Sequence, residues 1–426
     1  MAILETSAEA QTRYGNGIVG GVRVLYLAPA YPPEMIEYTR GLAELGHQVY
    51  GVGDGPAAAL PESVRRSLTD YLKVPQLLNE RDTAARVLSW FGDHPPERAL
   101  SNWEPLVILA ARLREHWGLA GMAVETVRAF RDKQLMKERV AAAGLRVPRA
   151  RRVRMVAECQ AAADTFGYPL VIKPIAGAGS ADTYRCDDAA QFQRALNLSG
   201  HVAEASVEEF IDGEEFTYDT LCVGGVPVYE NVAQYLPKPI EARSQEWVSP
   251  IQVAVRAQTQ PRLLPGIELG RKVLQALGMQ DGFTHMEWFL TPRGEAVFGE
   301  IACRPGGGHL VDMMNYAADI DLFREWARVV TERKFEANAP RLYNVAIVFK
   351  RALGQGRITR IEGLEGWKSA AGEAFVGEHL LRPGTPRRNW KQTLLSDGHV
   401  IVRHPEWEEC LRLAKLAATD IRLYAE

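Results

Sequence analysis

Two glutamates thirteen residues apart suggest chemistry first in this 426-residue chain: Glu287 in His285-Met286-Glu287-Trp288 and Glu300 in Phe298-Gly299-Glu300-Ile301. Met286, Trp288, Phe298 and Ile301 alternate with them, which puts each acid in a strand and both on one face. Two converging carboxylates repel unless a cation lies between them. Hard oxygen ligands suit Mg²⁺, its shell completed by nucleotide phosphates; a pair of solvated acids is the plain alternative. The next segment, Arg304-Pro305-Gly306-Gly307-Gly308-His309, is an arginine feeding a bare backbone loop, which suits an oxyanion or a carboxylate.

Three earlier pieces fit that chemistry. Lys173 ends the apolar run 170–174 (LVIKP) and is followed by Gly177, Gly179, Ser180 and Ala181, small residues that let backbone N–H groups reach phosphate oxygens. The loop has no G-K-[ST] ending and joins two strands, so it is not a P-loop; alone it reads as an ordinary glycine hairpin. Lys133 opens a helix, a place where lysines usually face solvent. Glu208, Glu209, Phe210 and Ile211 form an extended segment whose backbone can read a purine edge. A carboxylate a few residues on, in Glu214-Glu215-Phe216-Thr217, can hold ribose hydroxyls. In isolation, that segment is a strand with outward acids.

The elements that must position these residues follow from periodicity. Residues 22–28 (VRVLYLA) and 48–52 read as strands flanking a helix over 34–45 that stops at Gly46, a βαβ unit with a parallel sheet. Helices are expected over 101–117 and 124–143, and Gly144 and Pro148 mark a change of lobe. Strands follow at 170–174, 182–186, 207–211, 216–223 and 226–230, with helices at 189–196 and 262–277. A hairpin of 283–290 with 296–301 carries both glutamates. Strands near 343–349 and 398–402 and a helix over 406–418 end the chain. Residues 15–20 match G-x-G-x-x-G, but they precede the first strand, so they are no dinucleotide fingerprint. The fold class is α/β and α+β. The expected divisions are a flexible tail 1–20, a βαβ domain 21–120, two lobes 121–205 and 206–340, and a small C-terminal lobe 341–426.

Composition narrows the function. Fifty basic against fifty-three acidic residues give a net charge of −3, which argues against nucleic acid and anionic lipid as partners. The five cysteines, Cys159, Cys186, Cys222, Cys303 and Cys410, are scattered and never form C-x-x-C, so a reducing cytoplasm is expected, with neither disulfides nor a zinc site. No long apolar run predicts a membrane span, and the first residues lack the pattern of a signal peptide.

Taken in order, these motifs resemble the ATP-grasp superfamily: a lysine before the central domain, V-I-K-P with a glycine-rich flap, E-E-F-I-x-G-E-E-F, h-x-E, and E-I-x-x-R-P-G-G-G. The resemblance covers about residues 20–420 and is strongest from Lys133 to Asp319. The last motif is similar to carboxylate–amine ligases, including L-amino-acid (dipeptide) ligases and carnosine-synthase-like enzymes; biotin carboxylase is a more distant relative. The resemblance implies a βαβ pre-domain, a central two-lobe nucleotide-binding domain and a small C-terminal lobe. It implies that Lys133 and Lys173 contact ATP phosphates and that Gly177, Gly179, Ser180 and Ala181 form the flap. Glu208, Glu209, Phe210 and Ile211 would meet adenine, and Glu215 ribose. Glu287 and Glu300 would hold Mg²⁺ or Mn²⁺. Arg304 would lie near the transferred phosphate, and His285 would stabilise a tetrahedral intermediate. Arg304, Gly307, Gly308 and His309 would contact substrate, as would Tyr31 and the stretch 241–249. The family usually has Asn two residues after the second metal glutamate, where this chain has Ala302.

The expected reaction is ATP-dependent amide formation. A carboxylate resists nucleophiles; phosphorylation makes an acyl phosphate with a stable leaving group, and an amine displaces it, releasing ADP and phosphate. Small carboxylate and amine substrates, amino acids among them, are the expected partners, and a homodimer the expected assembly. His285 and His309 are candidate bases. Two other readings stay open: an ATP-grasp phosphotransferase, and a nucleotide-binding protein without turnover.

Overall fold

The computed structural model describes residues 21–175, 182–390, 393 and 395–426. The tail 1–20 with its glycine motif, and the expected flap residues Gly177, Gly179, Ser180 and Ala181, lie outside the described residues. No helix among the described residues is long and apolar enough to cross a membrane.

Four strands, β1 (Arg23–Leu27), β2 (Gln48–Gly53), β3 (Asp70–Lys73) and β4 (Arg98–Leu100), form a parallel sheet in the order β3-β2-β1-β4. β1 is apolar and buried from Val24 to Leu27 because both its faces are covered there. Val24 and Tyr26 pack towards the helices Met35–Glu44 and Leu322–Glu332, whereas Leu25 and Leu27 pack towards Val107–Trp117.

The single helix expected over 124–143 is two, Val124–Ala129 and Lys133–Ala142. The Asp132 carboxylate accepts from the Gln134 and Leu135 N–H groups at 3.0 and 3.1 Å, so it caps a new helix where periodicity alone suggested continuity. This break makes Lys133 the first helical residue and sets Lys137 one turn below it.

A second, antiparallel sheet has the order β5-β8-β6-β7, built from β5 (Ala150–Val153), β6 (Leu170–Pro174), β7 (Tyr184–Cys186) and β8 (Ala205–Glu209). The main antiparallel sheet contains β9 (Glu214–Val223), β10 (Val226–Leu236), β11 (Ile251–Ala254), β12 (Gly282–Leu290), β13 (Ala296–Ala302) and β14 (Asn344–Phe349). After these come β15 (Leu353–Gly354), β16 (Ile358–Glu362), β17 (Phe375–Glu378), β18 (His399–His404) and β19 (Arg422–Ala425). The main sheet runs β13-β12-β9-β10-β11-β14-β18-β17, and β15, β19 and β16 form a small separate sheet. The C-terminal segment expected as its own lobe thus shares its main sheet with the central strands.

One face of β9, β12 and β13 is apolar and covered by the helix Leu264–Leu277. Gly266 and Gly270, one turn apart, are required there: a Cβ on either would come within 2.2 Å of the Trp288 or Tyr218 ring. Trp288 is fully buried in this layer, so its role is packing. The opposite face of the same strands carries the polar residues.

Candidate active site

The polar face is fixed by strand register. β12 alternates buried Met286, Trp288 and Leu290 with partly exposed His285, Glu287 and Phe289. Glu287 lies directly across from Glu300 on β13 and from Thr217 on β9. A bulge at Gly299 allows this pairing; a Cβ there would stand 2.8 Å from the Glu287 carbonyl oxygen. The two expected metal ligands are therefore neighbours on one face.

Facing them are the lysines. Lys133 Nζ lies 3.3 Å from Glu300 Oε2 and Lys173 Nζ 3.9 Å from the same oxygen. Lys173 also bonds Glu208 at 3.1 Å, and Lys137 bonds the other Glu208 oxygen at 2.8 Å. Burial alone would raise Glu208, but Lys137 and Lys173 outweigh it and hold the carboxylate at about 2. Burial likewise raises Glu300, and Lys133 and Lys173 bring it down to about 2. The lysines divide this negative charge unequally. Burial tends to lower Lys173, yet Glu208 and Glu300 raise it overall. Lys137 is lowered to about 8 by burial, with Lys173 repelling it. Glu208 thus serves the lysines with its side chain, leaving only its backbone to the hinge expected at Glu208–Ile211. Glu209 is occupied too, by Arg146 and Arg149 at 2.9 and 3.3 Å.

These groups open onto one cleft of about 930 Å³, open solvent included. Lys133, Lys173, Glu208, Glu209, Phe210, Ile211, Glu215, Glu287 and Glu300 all line it. Its apolar walls include Val171, Ile211, Ile240 and Phe289. Phe210 is held from outside by the Arg185 guanidinium, 4.2 Å from its ring centre. Buried Glu215, opposite Phe289, is pushed well above the carboxylate range, first by burial and then by Glu287. Among the described residues, no three His, Cys, Asp or Glu side chains could hold a metal by themselves. Glu287 and Glu300 fit a metal whose other ligands are phosphate and water oxygens.

Arg304, His285, Gly307, Gly308 and His309 are not among the residues lining the cleft; His285 neighbours Glu287 on the same face of β12. His285 Nδ1 bonds Asp219 at 2.6 Å and its Nε2 lies 3.8 Å from Glu287. Burial disfavours its charge, but Asp219 and Glu287 raise the imidazole to about 9. A proton held this firmly suits a positive group facing an oxyanion better than a base. Gly306 packs on this ring; a Cβ there would fall 2.9 Å from Nδ1. Ala302 pairs with His285 across the strands. Arg304 is bound by Glu104 from the N-terminal region, at 2.8 Å through Nε. His309 pairs with Asp312 at 2.8 Å and packs against His399, with ring centres 4.4 Å apart. Tyr31 is exposed and meets the edge of Trp103, and Trp247, in the stretch 241–249, is 75% exposed. Glu246 in that stretch pairs with Arg387 at 2.5 Å.

Sequence reasoning missed Lys137, Asp219 and Glu104. Lys137 carried a signal, the i,i+4 spacing from Lys133. Asp219 and Glu104 carried none, because strand register and a contact across two hundred residues bring them in.

Residues 166–312 match the family model of the ATP-grasp domain. The L-arginine-specific L-amino acid ligase of Bacillus subtilis is 26% identical over 286 residues, covering 65% of this chain and 68% of that one. The alanine–anticapsin ligase of B. subtilis strain 168 is 23% identical over 312 residues, 67% of this chain and 61% of its own. The matches thus span about two thirds of these relatives' lengths. The crystal structure of an L-amino acid ligase from Bacillus licheniformis superposes with a TM-score of 0.75 at 18% identity, covering 96% of this chain and 99% of that one. That likeness establishes the fold.

Proposed function

We propose that the chain is an ATP-grasp ligase of the kind that forms carbon–nitrogen bonds, and that it joins an amino-acid carboxylate to an amine through an acyl phosphate, releasing ADP and phosphate. The observation that carries this reading is the convergence of Glu287 and Glu300 with Lys133 and Lys173 at one end of a nucleotide-sized cleft.

In this reading the walls at Ile211, Ile240 and Phe289 hold the adenine, and Glu215 takes the ribose. Lys133 and Lys173 lie beside the phosphates and offset their charge while the phosphoryl group moves. Glu287 and Glu300 hold a magnesium ion, which supplies charge neutralisation and orientation for the phosphates when bound. Arg304 receives the carboxylate substrate or the transferred group with its planar N–H donors. Protonated His285, fixed by Asp219, offers a positive charge to the oxyanion that forms when the amine attacks. The loop Gly306–His309 presents backbone to the substrate, and Ala302 leaves the metal one protein ligand fewer than the family pattern. A homodimer and a cytoplasmic location belong to the same reading.

The test is an ADP-release screen over pairs of amino acids and amines with Mg²⁺, reading product mass directly. An amine-dependent product heavier by one residue supports the ligase. A phosphorylated product formed without amine would identify a phosphotransferase instead, and ATP binding without turnover a non-catalytic protein.

A further inference from the structure

We propose that Glu104 is a positioning residue that aims Arg304 at the reaction centre from the N-terminal region. Glu104 Oε2 accepts from Arg304 Nε at 2.8 Å and Nη2 at 2.5 Å, and its Oε1 accepts from Arg131. All three side chains are largely buried, Glu104 at 12% exposure. Arg304 Nη1 also donates to the Pro305 carbonyl at 2.7 Å. These contacts occupy one N–H on each of the three guanidinium nitrogens and fix the guanidinium plane, leaving one N–H on each terminal nitrogen.

The acid pair is near enough to act on this guanidinium. After Glu104, the acids that act most on Arg304 are Glu300 and Glu287, the pair at the head of the cleft. Burial would protonate Glu104, but Arg304 and Arg131 hold it below the usual carboxylate range, so it meets both arginines as a full anion. Arg131 precedes the Asp132 cap by one residue, so Glu104 also joins Arg304 to the start of the helix that carries Lys133. An arginine on a glycine-rich loop has many rotamers; one clamped by a buried carboxylate pays its ordering cost in folding rather than in the reaction.

The inference rests on the ligase reading for what Arg304 does, and on geometry alone for what Glu104 does to Arg304. The experiment compares Glu104→Ala, Glu104→Gln, Arg304→Ala and the Glu104→Ala/Arg304→Ala double variant. ADP release at saturating substrates is read together with KM for ATP and thermal unfolding. Glu104→Ala is expected to lower kcat by about 10- to 100-fold, as loss of an orienting partner does, with little change in KM for ATP. Glu104→Gln, which keeps an acceptor for Arg304, recovers most of that loss. In the Arg304→Ala background the Glu104 change has no further effect on kcat. An equal loss in both backgrounds, or an unchanged kcat in Glu104→Ala, overturns the proposal. Should Glu104→Ala not fold, Glu104→Leu, which fills the same space without an acceptor, takes its place in both backgrounds. Crystal structures give a second readout: a displaced or disordered Arg304 guanidinium is expected in Glu104→Ala and an unmoved one in Glu104→Gln, and an unmoved guanidinium in Glu104→Ala contradicts the proposal. If the wild-type protein releases no ADP with any pair, the ligase reading falls and the crystal comparison still decides on Glu104.

Discussion

Replacing Glu208 by Gln removes the carboxylate that bonds both Lys137 and Lys173 while keeping the side chain's shape. The wild-type carboxyl sits at about 2 instead of 4.5, a difference worth about 3 kcal/mol at roughly 1.4 kcal/mol per pH unit. Its folded value is depressed, so this stabilisation is present above the unfolded value and is lost as the pH falls towards about 2. In Glu208→Gln at neutral pH the two ammonium groups lose their shared counter-charge, and breaking a buried pair on one side costs about 3–5 kcal/mol. Lys173 keeps Glu300 at 3.9 Å, so the penalty falls mainly on Lys137. With a slope near 3 kcal/mol per M in urea, the unfolding midpoint is expected to fall by about 1 M or more. Lys137, already lowered to about 8 by burial, will shed its proton at still lower pH in the variant. The unfolded lysine keeps that proton, so the variant's stability is expected to climb as the pH rises from about 7 to about 9. Lys137→Met/Glu208→Gln, which removes the stranded charge, is expected to recover part of the loss. Urea melts of the three proteins at several pH values make the measurement. A Glu208→Gln midpoint equal to wild type at neutral pH would refute the charge-layer argument.

Other substitutions test the remaining parts. Glu287→Gln and Glu300→Gln are each expected to slow ADP release by about 10²–10³-fold, and an unaffected rate in either would remove that residue from the metal site. His285 is needed protonated and is raised to about 9, so activity is present below that pH and declines above it. Asp219→Asn removes the main group raising it and is expected to shift this alkaline limb to lower pH in a kcat profile. Ala302→Asn restores the family's missing ligand and is expected to tighten half-saturation by Mg²⁺ by about 10-fold, measured as ADP release against metal concentration. Gly266→Ala forces a Cβ to 2.2 Å from the Trp288 ring and is expected to cost about 1–3 kcal/mol in a denaturant melt.

Much of this site is legible from residue order, because its parts lie on strands with clear alternation. Glu287 with Met286 and Trp288, and Glu300 with Phe298 and Ile301, announce their shared face without a structure. Lys173 is marked by the apolar run before it. The long-range partners are different in kind. Glu208 reads as part of a hinge because nothing local shows that Lys137 and Lys173 will claim its side chain. Asp219 lies inside a strand of mostly apolar and β-branched residues, and only the register of β9 with β12 sets it beneath His285. Glu104 reads as the start of a helix, and tertiary packing alone joins it to Arg304. The same limit explains the fold-level differences. Helical periodicity runs through 124–143, and a single Asp132 cap divides it. The strands after 341 look like a separate unit because pairing partners far apart in sequence leave no periodic trace; β14 joins them to the main sheet through β11.

A crystal structure with magnesium and a non-hydrolysable ATP analogue bears most directly on the central proposal. The account predicts the purine between Ile211 and Phe289, the phosphates beside Lys133 and Lys173, and a metal bound by both Glu287 and Glu300. A nucleotide bound elsewhere, or a triphosphate in this cleft with neither glutamate touching a metal, would contradict it.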